Sequence, residues 1–140
     1  MVVDVQVLGP VEFWWEGRSL DLGAAKQRCV FAVLAVGAEK PHPVEALIDR
    51  VRGEHPPAQV RSAVYSYISR LRRLLRDTGF AVRQRSGGYL LELRRDRVDL
   101  HRFEAVVDAA RAVDDVEARA AMLRDGLGVW RGSPLQRTAR

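Results

Sequence analysis

Sulfur chemistry is nearly absent from this 140-residue chain, in which Cys29 is the one cysteine. A single thiol closes no intramolecular disulfide and builds no cysteine-based zinc site, so a reducing, cytoplasmic setting is expected. Lysine is almost as scarce: Lys26 and Lys40 stand alone among 23 basic residues. The positive charge is therefore arginine, whose planar fork suits phosphate and guanine better than an ammonium does. Long apolar runs are missing too. The longest, Cys29 to Ala38, is half of the roughly 20 residues a membrane helix requires. The opening Met-Val-Val-Asp-Val lacks the basic start and apolar core of a secretory signal, so no membrane partner is expected. There is no CxxC, HExxH, P-loop or GxGxxG. His42, His55 and His101 are too scattered for a metal triad and read as loop or cap residues. No enzyme, metal or cofactor is expected.

What is present is enough apolar residue, 47%, to bury a core, and an excess of 23 basic over 18 acidic residues, net +5. Such a balance favours a polyanionic partner. Val3, Val5 and Val7 alternate with Asp4 and Gln6, then Val11, Phe13 and Trp15 with Glu12 and Trp14, then Leu20 and Leu22 with Ser19 and Asp21. Period two with glycine turns predicts three strands in an antiparallel meander. Helical spacing follows over about Ala24–Ala38, with Cys29 on the apolar side and so expected in the core. Pro41-His42-Pro43 breaks that helix, and Pro43 suits the first turn of a second. A third helix is predicted from about Ala58 to Asp77, stopped by Gly79. Val82 and the Tyr89–Leu91–Leu93 alternation flank Ser86-Gly87-Gly88 and predict a β-hairpin.

Beyond it, Asp96 to Asp99 reads as a polar joint, then Leu100, Phe103, Val106, Val107 and Ala110 mark a fourth helix and Glu117–Leu127 a fifth. Gly126 and Gly128 each cost roughly 1 kcal/mol against alanine in a helix. The fifth helix is thus expected to fray, leaving Trp130 and Leu135 partly exposed. Charge divides the chain as well. Arginine dominates Pro57–Tyr89, whereas acids outnumber bases from Asp99 to Gly128. Affinity for a polyanion therefore belongs to the first part, and the second is expected to face protein.

On a helical wheel the third helix gathers Val60, Val64, Ile68, Leu71 and Leu75 into one narrow stripe. Its far side carries Arg61, Ser62, Tyr65, Ser66, Ser69, Arg72, Arg73 and Arg76, with Arg70 at the edge and no carboxylate before Asp77. A solvated helix usually mixes signs, because opposite charges four residues apart support it. Crowded like charges point instead to a phosphate backbone that relieves their repulsion. Ser62, Ser66 and Ser69 leave room for a helix backbone to approach a major groove, and Arg70 can donate two hydrogen bonds to guanine O6 and N7. Arg61, Arg72, Arg73 and Arg76 suit phosphates, which set register rather than sequence. Arg83 and Arg85 beside the small Gly87-Gly88 tip suit a minor groove, whose potential attracts arginine. A basic helix followed by a basic hairpin is the winged helix-turn-helix plan, an α+β fold. The alternative reading is a basic face that docks on an acidic protein.

Several motifs, in order, resemble one family. Leu8-Gly9-Pro10, Lys26-Gln27-Arg28, Tyr67-Ile68-Ser69-Arg70-Leu71-Arg72-Arg73-Leu74 and Gly88-Tyr89 are similar to the N-terminal half of the Streptomyces antibiotic regulatory protein (SARP) family. Val98-Asp99-Leu100-His101-Arg102-Phe103-Glu104 and Trp130-Arg131-Gly132-Ser133-Pro134-Leu135 resemble the opening of that family's helical bacterial transcriptional activator domain. The resemblance implies an OmpR/PhoB-type winged-helix DNA-binding domain over 1–95 and a truncated N-terminal part of the activator domain over 96–140. It implies a cytoplasmic, nucleoid-associated activator of antibiotic biosynthesis genes that binds direct repeats near promoters, possible as a homodimer, and recruits RNA polymerase through the loop from Arg52 to Pro57. It places base reading on Tyr65, Ser66, Ser69 and Arg70, phosphate contacts on Ser62, Tyr67, Arg72 and Arg73, and the wing arginine at Arg85. A fragment without activating function, acting as a decoy or an interaction module, is the alternative within the family.

Overall fold

Alternation at the start of the chain folds as a meander. In the computed structural model, which describes residues 3–128, 130 and 131, β1 (Val3–Gln6), β2 (Glu12–Trp15) and β3 (Arg18–Leu20) form one antiparallel sheet in that order. Val5 pairs with Phe13, and Phe13 with Leu20. Val5 and Phe13 are fully buried, because residues opposite one another in register share a face.

That face packs on α1 (Ala25–Val36), where the Phe31 ring centroid lies 5.7 Å from that of Phe13. Inward-facing Val30, Phe31, Leu34 and Ala35 leave Cys29 half-buried at the rim of the core, not inside it as expected. Two histidines close the far end of α1, whose last carbonyls have no partner within the helix. The His42 Nε2 lies 3.0 Å from the Gly37 carbonyl oxygen, and the His101 Nε2 lies 2.7 Å from that of Val36. Both are cap residues in this sense, reached from other parts of the chain.

The proline-rich break does more than stop α1. His42–Pro43 is a two-residue strand, β4, and Pro43 caps α2 (Val44–Val51) from one position earlier than expected. Proline is tolerated there because β4 is an edge strand. α3 (Pro57–Leu75) begins with proline at its first position and continues into a 3-10 turn (Arg76–Thr78), after which Gly79 adopts a left-handed conformation. Its buried residues are Val60, Val64, Ile68, Leu71 and Leu75, the stripe read from the wheel. Each such aliphatic group contributes about 1.5–3 kcal/mol when withdrawn from water, and together they fix which side of α3 faces out.

β5 (Ala81–Arg85) and β6 (Gly88–Glu92) form the hairpin, and β6 is the middle strand of the order β4-β6-β5. Gly88 to Leu91 are all buried, so the alternation expected for β6 is lost. A strand covered on both faces reads as a continuous apolar run. Among the described residues no helix is long and apolar enough to cross a membrane.

The stretch taken for a polar joint is exposed at Asp96 and becomes a buried strap at Val98 and Asp99. Val98 makes a parallel bridge to Val5. Asp99, only 2% exposed, accepts hydrogen bonds from the backbone amides of Val7 (2.9 Å) and Leu8 (3.2 Å). A polar group withdrawn from water needs hydrogen-bond partners, and the backbone just past β1 supplies them. Asp99 also opens α4 (Asp99–Arg111), where a negative side chain suits the amide end of a helix. Arg102 on the next turn pairs with Asp4 of β1.

α5 (Val116–Leu127) runs through Gly126 instead of fraying there. A Cβ on Gly126 would sit 3.1 Å from a methyl group of Val106, so the glycine lets α5 lie close against α4. Trp130 is half-buried, its ring edge-on to Phe103 at 5.4 Å. Arg131 reaches back to the first sheet, donating from its backbone to the Leu8 carbonyl (2.8 Å) and from its side chain to that of Pro10 (2.7 Å). Leu135 lies outside the described residues.

Candidate nucleic-acid interface

With the apolar stripe of α3 anchored, its opposite face is set toward solvent. Ser62, Tyr65, Ser66, Ser69, Arg70, Arg73 and Arg76 are all exposed. Ser62, Ser66, Ser69, Arg73 and Arg76 follow one another at spacings of three and four, so they form a single line along the helix. Among the described residues Arg70, Arg73 and Arg76 have no carboxylate partner. Three guanidinium groups thus stand open on one surface, where only a ligand or counterions neutralise them.

Other expected contacts lie differently. Arg61 is exposed but paired: its guanidinium lies 2.8 Å from the Glu45 carboxylate on α2. Hydrogen bonds with Glu45 first and Tyr65 second raise its pKa above the ordinary arginine value. The expectation of a carboxylate-free surface holds along α3 itself and fails across the crossing with α2. Tyr67 is half-buried and packs against the core. Gly88 is buried, and a Cβ on it would lie 2.5 Å from the His42 carbonyl oxygen. It serves the close approach of β4 to β6, which corrects its placement at the tip. Ser86 and Gly87 form the tip, both with positive φ.

Arg83 and Arg85 extend from β5 on the exposed side, and both face Glu92 of β6, at 2.7 Å and 3.9 Å. The hairpin register explains this: Ala81 pairs with Glu92, which sets Arg83 diagonally beside the carboxylate. Arg72 is exposed and donates from Nε to the Val82 carbonyl of β5 at 3.0 Å. Its guanidinium carbon lies 5.5 Å from the centroid of the Tyr89 ring. Between helix and hairpin runs an open cleft of about 510 Å³, lined by Arg72, Val82, Arg83, Gln84 and Arg85. Sequence reasoning missed Glu45, Tyr89 and Glu92 as parts of this surface. Only Glu92 left a signal, through the spacing of the hairpin.

No family model matches the chain. Individual proteins do. It is 38% identical over 133 residues to the regulatory protein AfsR of Streptomyces coelicolor and 34% identical over 140 residues to the transcriptional regulatory protein EmbR of Mycobacterium tuberculosis. It is 31% identical over 141 residues to the transcriptional regulator RedD of Streptomyces coelicolor. These alignments cover 92% to 95% of the chain. The chain is a homologue of SARP-family regulators.

A solved structure of Mycobacterium tuberculosis EmbR, in complex with a low-affinity phosphopeptide, superposes with a TM-score of 0.81 at 34% identity over 95% of this chain. The chain thus has the α+β winged helix-turn-helix expected from its sequence, followed by a helical segment. All three relatives are regulatory proteins by name. The chain spans only part of their length: 13% of AfsR, 36% of EmbR and 40% of RedD.

Proposed function

We propose that this chain binds a specific double-stranded DNA sequence and serves a transcription regulator of the SARP type. α3 enters the major groove, where Tyr65, Ser66, Ser69 and Arg70 face base edges. Ser62, Arg61, Arg72, Arg73 and Arg76 lie along phosphates, with Tyr67 at the margin. Arg83 and Arg85, carried by the hairpin with Gly87 at its tip, meet the adjacent minor groove. The observation that carries this reading is the exposed face of α3, where among the described residues Arg70, Arg73 and Arg76 have no carboxylate partner and stand beside small serines, while the other side of the helix is locked into the core.

Residues 1–95 make these contacts, and residues 96–140 open the activator domain. Antibiotic biosynthesis genes are the target class that the resemblance to the SARP family implies. Copies of the chain on direct repeats near a promoter, with the Arg52–Pro57 loop turned toward RNA polymerase, complete the proposal, which places the protein on the cytoplasmic nucleoid. A salt titration of binding to an enriched duplex tests it. With about five phosphate contacts, log K falls against log salt with a slope near −4 to −5; a flat response means a protein partner instead.

A further inference from the structure

The surface that faces DNA in the proposed function is crossed by a chain of contacts that ties α3 to the hairpin. Tyr65 lies one helical turn beyond Arg61 on α3. The Tyr65 ring stands edge-on to the Tyr89 ring of β6, with centroids 6.5 Å apart. The Arg72 guanidinium lies over Tyr89 and spends its Nε–H on the Val82 carbonyl of β5. Tyr89 is buried, 6% exposed, whereas Tyr65 is 43% exposed. A buried ring of β6 therefore carries one exposed aromatic and one guanidinium, both from α3.

From this geometry we infer that Arg72 is a positioning residue, whose tether to Val82 and Tyr89 fixes the hairpin relative to α3. The inference rests on the DNA-binding reading for its consequence, but the tether itself is a property of the free chain. A helix and a hairpin that enter neighbouring grooves must keep a set separation, and misplacing one by an ångström loses contacts made by the other. A guanidinium can meet these demands because its Nε–H lies in the ring-stacking plane while its outer nitrogens remain open to a phosphate. Lysine keeps the charge and offers no planar group. A residue that only neutralises phosphate is replaced by lysine without loss; a tether is not.

Arg72→Lys in the full chain separates these roles. Amide exchange over residues 81–92, measured by mass spectrometry without DNA, speeds up by about 30-fold or more when a charged hydrogen bond and an exposed cation–π contact are lost together. On an enriched duplex, hydroxyl-radical protection of the minor groove beside the hairpin weakens in the variant, while methylation protection of the major-groove guanines persists. Unchanged exchange in Arg72→Lys overturns the inference, and so does minor-groove protection that persists undiminished in the variant. Should the unsubstituted chain bind no duplex, the DNA-binding reading fails, and the exchange experiment still decides the tether.

Discussion

Arg61 of α3 and Glu45 of α2 lie 2.8 Å apart, so a carboxylate stands beside the arginine face of α3. The pair is exposed on both sides, so it contributes little to folding. Its larger effect is on the partner, since Glu45 repels any phosphate that Arg61 approaches. Glu45→Gln is expected to raise affinity for duplex DNA, by less than about fivefold because the group is exposed and screened. Fluorescence anisotropy at low and high salt checks this, and the gain shrinks as salt rises.

Arg70 and Arg73 separate sequence reading from phosphate binding. Arg70→Ala should relax preference at one or two base pairs, at a cost of roughly 1–3 kcal/mol on the preferred duplex. Arg73→Ala should weaken every duplex about equally and reduce the salt slope by about one. Competition among single-base variants of one duplex reads both effects. If both substitutions leave base preference intact, the division of roles is wrong.

Asp99 tests the strap. Asp99→Ala leaves the buried amides of Val7 and Leu8 without acceptors, at about 1–3 kcal/mol each. The midpoint of urea unfolding should fall by more than any substitution on the exposed face of α3 produces. A shift as small as that of a surface residue would show that water or a neighbouring group replaces the carboxylate.

Gly126 tests the contact between α4 and α5. Gly126→Val drives two methyl groups toward Val106 and Phe103, and overpacking of that kind costs about 1–3 kcal/mol. Gly126→Ala sets roughly 1 kcal/mol of helix propensity against a single close contact, so its stability should stay near that of the unsubstituted chain. Thermal unfolding of the two variants distinguishes a packing glycine from a weak point in the helix.

These residues also show what the sequence exposes to inspection. The Val60–Leu75 stripe and the serine-arginine face of α3 were legible because a 3.6-residue period needs only neighbours on the same helix. The hairpin was legible from its Gly87-Gly88 turn, although the burial of Gly88 was not, because it depends on β4 arriving from 45 positions earlier, where Pro43 meets it. Pro41-His42-Pro43 reads as a break, and only the partner Tyr89 reveals a strand. Asp99 and Gly126 misled for one reason: a carboxylate among charges reads as solvated and a glycine in a helix reads as weak. Their true roles are set by Val7, Leu8 and Val106, which lie far away in the chain. The Glu45–Arg61 pair has the same origin in tertiary packing.

Selection from a library of random duplexes by the immobilised chain tests the central claim most directly. The account predicts enrichment of one short motif, contacted in the major groove opposite α3 and in the neighbouring minor groove by the hairpin, and loss of that enrichment at one or two positions with Arg70→Ala. Retention of all duplexes alike, with no motif after repeated rounds, would contradict it.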